Sequence, residues 1–472
     1  MGILMDLQKN NSSNGSYHFI GIGGIGMSAL AAMLLRTGHK VSGSDISSSS
    51  LTTRLANQGA EIHIGHSREN IGGTPTVVYS SAITGDNPEM LEARSRNLRI
   101  IQRAELLSLF FNGKKGIAIA GTHGKTTTTT LITLILKKAG LAPDAFIGGE
   151  VPSLDGNIVC GGGEYVVAEA DESDGSLLNL RPCYSIVTNI EGEHFGYFKD
   201  IESIIEVFRK FINQTSSNGF VYMNIDDPQT KSLFNEYMAQ KVSYSINGAG
   251  DICARSIRLK SFGSEYEVFY RNRKLGDMEL NIPGLHNVSN SLGAIALTTD
   301  IGADFHTIKE ALKDFRGVRR RFEIKGSIEN ILVIDDYAHH PTEITATIGS
   351  AKSLDGEKRV IGIFQPHRYS RTKYLKEQFA HAFDGLDELI LTDIYAACEE
   401  PIEGIDGTTI LDSVVAGGMK NVSYMPNIRD IPGKICDRLR PGDVVITMGA
   451  GNITTIADLI VEKLRSRAAG VR

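Results

Sequence analysis

Short β-branched apolar runs alternate along the chain with longer segments whose apolar residues recur at helical spacing. The sharpest change of period lies in 114–140, KKGIAIAGTHGKTTTTTLITLILKKAG. Residues 117–120 read as a buried strand. The stretch carrying Leu131, Leu134 and Ile135 reads as a helix closed by Lys137, Lys138 and Gly140. Upstream, strand, helix and strand follow one another from Tyr17 to Asp45, with further strands at 77–79 and 98–101 and a helix at 103–111. Downstream, strands are expected at 165–169 and 185–190, and a helix opens near Pro283 and runs on through small residues to Ala296. From Gly317 the alternation resumes, with strands at 331–334, 360–364, 389–392 and 443–448. Strands separated by helical segments predict parallel sheets covered by helices, an α/β fold class. Asn112-Gly113 and Gly317 mark the junctions, giving a flexible tail at 1–16 and units at 17–112, 113–317 and 318–472.

Composition narrows the function. The 472 residues have room for two to four domains. A net charge of −6 argues against nucleic acid or an acidic membrane surface as the main partner. No apolar run reaches the ~18–20 residues of a membrane helix. The polar stretch Lys9–Gly15 lacks the apolar core of a signal peptide. Five cysteines, at 160, 183, 253, 398 and 436, are odd in number and scattered. They fit neither a disulfide framework nor a zinc site, and point to the reducing cytosol.

The chemistry begins at Gly121-Thr122-His123-Gly124-Lys125-Thr126, between a strand and a helix start. Unpartnered N–H groups at a helix N-terminus face an anion there, and glycine lets the backbone approach closely. Lys125 is placed to neutralise β/γ-phosphates, and Thr126 or Thr127 to offer a hydroxyl to Mg²⁺. Only Thr122 and His123 separate the glycines, so this is a contracted phosphate loop. The strand at 165–169 runs into Glu169, Asp171, Glu172 and Asp174, which read as a solvated turn or, beside a phosphate loop, a cation site. At Glu191-Gly192-Glu193-His194 the histidine is either a turn cap or a second metal ligand. His286 and Asn290, one helical turn apart, suit nucleoside edges, although capping alone explains one asparagine. Gly21, Gly23 and Gly26 with Asp45 form a dinucleotide fingerprint, compatible with a dehydrogenase and equally with a UDP-sugar. In the third unit four strands end in polar residues, where open α/β sheets bind ligands.

In chain order, GIGGIGMSALA, GTHGKTTT, AEADESDGS, TNIEGEH, PGLHNVSN, GVRRRFE, DDYAHHPTEI and QPHRYSRT resemble the Mur ligases over essentially Tyr17 to the C-terminus. The resemblance is strongest to the members that join L-alanine to UDP-N-acetylmuramate, with a murein-tripeptide ligase as runner-up. It implies an N-terminal Rossmann-like UDP-sugar-binding domain, a central P-loop-type ATPase domain and a C-terminal Rossmann-like domain that brings the amino acid. It implies ATP as cosubstrate and two Mg²⁺ ions, with Mn²⁺ an allowed substitute. Amide-bond formation would pass through an acyl phosphate. By position, Lys125 matches the phosphate-binding lysine, Thr126 and Glu169 the Mg²⁺ ligands, and His194 the ligand of a second ion. His286, Asn287 and Asn290 match the nucleotide contacts, with Arg321 and Asp336 closing from the third domain. Tyr337, His339, His367, Arg368 and Arg371 match positions meeting the amino acid and acyl phosphate, and Gly23, Gly24, Gly26, Asp45, His66, Ser80 and Ser81 those of the UDP site. Three positions depart from the pattern: Glu193 stands where aspartate is usual, Gly196 where an acid is common, and Cys398 where glycine is expected.

Overall fold

The computed structural model describes residues 15–194, 197–354, 356 and 358–470, so most of the expected tail lies outside the described residues; Ser16 already belongs to a strand. Among the described residues, three sheets account for the strands. The first comprises β1 (Ser16–Ile20), β2 (Lys40–Asp45), β3 (Glu61–Ile64), β4 (Thr76–Tyr79) and β5 (Ile100–Gln102). All its pairings are parallel, in the order β3-β2-β1-β4-β5. The strand order reverses beside β1, the position at whose carboxyl ends open α/β sheets bind their ligands.

The second sheet holds β6 (Lys115–Ala120), β7 (Asp144–Val151), β8 (Gly156–Cys160), β9 (Tyr165–Glu169), β10 (Tyr184–Val187), β11 (Phe220–Asn224), β12 (Lys241–Ser245), β13 (Ile252–Lys260), β14 (Gly263–Tyr270) and β15 (Arg273–Leu280). Its order is β15-β14-β13-β12-β11-β10-β6-β9-β7-β8, so the phosphate-loop strand β6 is interior. The antiparallel extension β13–β15 was not anticipated. Its residues alternate in burial along β14, so one face is solvated and no continuous apolar run announces it.

The third sheet contains β16 (Glu323–Ile328), β17 (Ile331–Asp336), β18 (Val360–Phe364), β19 (Glu388–Leu391), β20 (Val422–Tyr424) and β21 (Val444–Met448). Its order is β16-β17-β21-β18-β19-β20, parallel except for the edge strand β16. Separate apolar clusters cover its two faces.

Two helices place the site. The helix Lys125–Lys138 is rich in threonine, a poor helix former, yet nearly every residue from Thr126 to Leu136 is buried. Thr130 and Thr133 donate to the carbonyls of Thr126 and Thr129, which satisfies these two hydroxyls inside the helix, while the buried hydroxyls of Thr128 and Thr129 have no partner. Tertiary packing overrides propensity here. The helix Leu285–Ile301 lies against it, and Gly293 lets that helix approach Tyr244 and Ile186 of the sheet closely. The helix Ile25–Arg36 of the first unit packs on β7 and β8, and one apolar cluster runs through both units.

Candidate functional site

The loop after β6 turns at Gly121 (φ 138°) and Gly124 (φ 84°), a left-handed backbone that residues with side chains rarely adopt. A Cβ on Gly121 would stand 1.9 Å from Thr188 Oγ1, and one on Gly124 2.5 Å from Asn290 Oδ1. Asn189 fastens the loop: its Oδ1 accepts the His123 N–H at 2.8 Å, and its Nδ2 donates to the His123 carbonyl at 3.1 Å. Thr122 Oγ1 accepts the Glu191 N–H. The loop is therefore preset, with the Lys125–Lys138 helix N-terminus behind it.

Lys125 folds back over the loop. Its Nζ donates to the Gly121 carbonyl at 2.5 Å and to Glu172 Oε2 at 2.8 Å and Oε1 at 3.1 Å. Glu172 is 2% exposed. Burial works against the lysine's charge, but Glu172 and Asp171 outweigh it and raise its pKa. Thr126 Oγ1 donates to Glu169 Oε2 at 3.1 Å, while Glu169 Oε1 accepts the Gly148 N–H. Loss of water raises the Glu169 pKa despite these donors. A half-buried carboxylate with a hydroxyl beside it fits the oxygen donors that Mg²⁺ prefers. A second group, Asp171, Glu172 and His194, brings ligand atoms within 4.8 Å of one another.

Between this loop and the third unit lies a cavity of 460 Å³. Its walls include Gly124, Thr126, Thr127, His286, Asn287, Asn290, Arg321 and Asp336, so the structure brings together the residues singled out for the nucleotide. Asn287 Nδ2 donates to the Pro283 carbonyl, and Asp336 accepts N–H groups from Phe322 and Ala338. Burial pushes the Asp336 carboxyl up to about 6.

At the carboxyl ends of β17 and β18, Tyr337 lies under the Arg320 and Arg321 guanidiniums, His339 meets Tyr337 edge-on, and His367 stacks on Tyr395. The Arg371 fork does not point into an open cleft. Its Nε and Nη2 both donate to Glu193 Oε1, at 2.8 and 2.5 Å, across the cleft to the middle unit. Nη1 donates to His367 Nδ1 at 2.9 Å and to the His367 carbonyl. This is a pair between units, formed because the chain after β10 turns Glu193 toward the third sheet. Burial disfavours the Glu193 charge, yet Arg371 and His339 hold its carboxyl well below the usual range. Burial and Arg371 lower His367 to about 2. Arg368 is more exposed, with Glu399 3.8 Å away. Gly196 lies outside the described residues, while Cys398 is exposed at φ 65°, the backbone state that makes glycine natural there.

In the first unit Asp45 Oδ2 accepts the Gly23 N–H at 2.8 Å, closing the Gly23-Gly24-Gly26 turn. Ser80 and Ser81 follow β4 on the same side of the sheet. His66 Nδ1 is 2.9 Å from Ser44 Oγ. Behind them Glu89, fully buried, accepts from Ser44 Oγ, Asn70 Nδ2 and the Ser67 N–H, with His18 Nε2 at 3.2 Å. Burial opposes its charge, but donors from His18, Ser44 and Asn70 bring it down to about 2.

Three family models match in succession: "Mur ligase family, catalytic domain" over 16–115, "Mur ligase middle domain" over 119–298 and "Mur ligase, glutamate ligase domain" over 320–451. The chain belongs to the Mur ligase family. Mur ligases are ATP-dependent amide-bond-forming enzymes, and so is this one. This Mur ligase is 44% identical over 449 residues to a UDP-N-acetylmuramate–L-alanine ligase of Pelotomaculum thermopropionicum, spanning 95% of this chain and 97% of that one. It is similar to the crystal structure of the Thermotoga maritima UDP-N-acetylmuramate–alanine ligase, with a TM-score of 0.83, 32% identity and coverage of 96% and 99% of the two chains. It also resembles a murein peptide ligase of Psychrobacter arcticus, with a TM-score of 0.73, 26% identity and coverage of 95% and 98%. Among the described residues, no helix of this Mur ligase is long and apolar enough to cross a membrane.

Sequence reasoning reads Glu89 of this Mur ligase only as a residue after a strand, where open sheets bind ligands, passes over Glu343, and leaves Glu172 and Glu191 without individual roles. Glu343 is the most legible of the four. His340-Pro341-Thr342-Glu343 carries proline at the first helical position and glutamate at the third, and Glu343 Oε2 accepts the His339 and His340 N–H groups.

Proposed function

We propose that this chain joins L-alanine to the lactyl carboxylate of UDP-N-acetylmuramate, using ATP and giving UDP-N-acetylmuramoyl-L-alanine, ADP and phosphate. The full-length likeness to ligases of that name carries the substrate choice. The 460 Å³ cavity against the Gly121–Thr126 loop supports nucleotide use. In this reading the units at 17–112, 113–317 and 318–472 take the UDP-sugar, ATP and the amino acid, in a cytoplasmic enzyme.

A carboxylate is a poor acylating agent, so its oxygen first attacks the γ-phosphorus of ATP, releasing ADP and forming an acyl phosphate. Lys125 offsets the repulsion between the two anions, and the loop N–H groups hold the phosphates. His123 and Thr122 belong to that loop, and Gly121 and Gly124 shape it. Thr126, with Thr127 beside it, Glu169 and His194 would hold two Mg²⁺ ions. Bound Mg²⁺ supplies further neutralisation of phosphate oxygens. His286, Asn287 and Asn290 bind the nucleoside, with Arg321 and Asp336 closing over it. Gly23, Gly24, Gly26, Asp45, His66, Ser80 and Ser81 line the UDP subsite.

The amine of L-alanine then attacks the acyl carbon, and phosphate leaves with one carboxylate oxygen. Arg368 stabilises the tetrahedral charge and orients the α-carboxylate, with Tyr337 and His367 alongside, while Arg371, its fork taken by Glu193 and His367, holds that wall of the cleft rather than gripping the substrate. The proton lost by the amine goes to His339. His339 Nδ1 lies 2.9 Å from the Tyr337 carbonyl, to which it donates, leaving Nε2 free to accept, 3.6 Å from Glu193. His367 is a poorer acceptor, because its Nδ1 already takes the Arg371 N–H.

Phosphate release with UDP-N-acetylmuramate, ATP and each of L-alanine, glycine, L-serine and the murein tripeptide tests the reading. L-Alanine should give the highest kcat/KM. A preference for the tripeptide would replace it with the recycling reaction.

A further inference from the structure

Above the phosphate loop, where the middle and third units meet, stands a group of side chains that the proposed reaction does not use as a set. His123, Glu191 and His340 bring ligand atoms within 4.8 Å of one another. His123 Nε2 lies 3.7 Å and His340 Nδ1 3.5 Å from Glu191 Oε2. The rings are 4.9 Å apart, centroid to centroid. Four ligands at ~2.0–2.1 Å from a tetrahedral ion are separated by about 3.3 Å; the two Glu191 separations, 3.7 and 3.5 Å, are close to that, and the third pair lies within 4.8 Å.

Two further observations point to an ion rather than a chance meeting. His123 Nε2 is buried and has no hydrogen-bond partner, although it is directed to Glu191. The other nitrogen, Nδ1, lies 3.1 Å from Glu343 Oε1. A carboxylate behind a histidine, with the far nitrogen left for a ligand, is the arrangement that orients metal-binding imidazoles. Glu343 is itself fixed by accepting the His339 and His340 N–H groups. His340, 1% exposed, directs Nδ1 toward Glu191 and accepts only a long bond from the Thr342 N–H.

We propose that His123, Glu191 and His340 form a binding site for a zinc-class transition-metal ion, separate from the Mg²⁺ positions at Thr126, Glu169 and His194. Two imidazoles and one carboxylate select zinc, cobalt or copper over magnesium, and leave a fourth position for water. His123 and Glu191 belong to the middle unit and His340 to the third, so occupancy ties the two together. His123 and Glu191 also line the nucleotide cavity. Zinc therefore holds the cleft closed and slows turnover that needs it to open.

The alternative is an imidazolium salt bridge only, with His123 charged between Glu191 and Glu343. Burial disfavours that charge, but the two carboxylates push His123 up to about 10, so a proton competes with the ion. Binding must then strengthen as pH rises.

The test is titration of the full chain with Co²⁺ in excess Mg²⁺, which fills the oxygen-rich positions. The wild type should bind one Co²⁺ with the visible absorption of a four-coordinate ion. Glu191→Gln and His340→Ala should each weaken it tenfold or more, while His381→Ala, at an exposed side chain, should not. Pulsed EPR of bound Cu²⁺ on the wild type counts coordinated imidazoles without any variant, and two are expected. One imidazole or none, or Co²⁺ affinity unchanged in Glu191→Gln, overturns the proposal and leaves the salt bridge only.

Discussion

Glu193→Gln should destabilise the closed cleft more than any exposed charge change. Arg371 is 8% exposed and Glu193 4%, and two guanidinium N–H groups converge on one carboxylate oxygen. Removing one partner of such a buried pair costs about 3–5 kcal/mol, because the other charge stays buried without compensation. Glutamine keeps a carbonyl acceptor, which returns about 1 kcal/mol, so the loss should be ~3 kcal/mol. For units of this size that is roughly 6–12 °C in the melting transition that includes the cleft. Calorimetry of Glu193→Gln, Arg371→Met and the double variant gives the coupling, expected at ~2 kcal/mol or more. The Glu193 pKa is depressed in the folded state, so its contribution is complete above the ordinary value of 4.5. It is lost as pH falls through the lower folded value, and variant and wild type should converge in acid. A coupling below about 0.5 kcal/mol, the level of a surface pair, would refute the reasoning.

Lys125→Ala should abolish turnover while UDP-sugar binding, measured by calorimetry, stays nearly intact; activity within tenfold of wild type, about 1.4 kcal/mol, sinks the role given to the lysine. Glu169→Ala should raise the Mg²⁺ concentration needed for half-maximal rate and lower kcat, and an unchanged Mg²⁺ dependence would return Glu169 to a purely structural place. Glu89→Gln should cost about 3 kcal/mol at neutral pH, since the shift from 4.5 to about 2 in a fully buried group is worth that much. The contribution is present above 4.5 and lost toward pH 2, so denaturation curves of variant and wild type should differ at pH 7 and meet near pH 2.

Local signals carried much of this site into the sequence. Gly121-Thr122-His123-Gly124-Lys125-Thr126 is legible because strand, glycine turn and helix start are decided by neighbouring residues, and the loop lies where that order puts it. The strand ends of the third unit are legible for the same reason. What depends on distant contact is not. Glu193 and Arg371 are separated by 178 positions, and their pairing follows from how two units dock. Nor does sequence distinguish Glu169, which meets Thr126, from Glu172, which meets Lys125; the turn after β9 decides. Glu89 was legible only as a residue after a strand, where a ligand-facing role is expected. A fully buried carboxylate satisfied by residues of β1, β2 and the loop after β3 has no periodic signature.

The central claim is that this chain activates the lactyl carboxylate as an acyl phosphate before the amine of L-alanine attacks. UDP-N-acetylmuramate carrying ¹⁸O in both carboxylate oxygens, turned over with ATP and L-alanine, tests it by mass spectrometry of the phosphate released. One carboxylate oxygen leaves with the phosphate, so each phosphate should carry a single ¹⁸O and the amide product the other. Phosphate released without label while the amide forms would contradict the account.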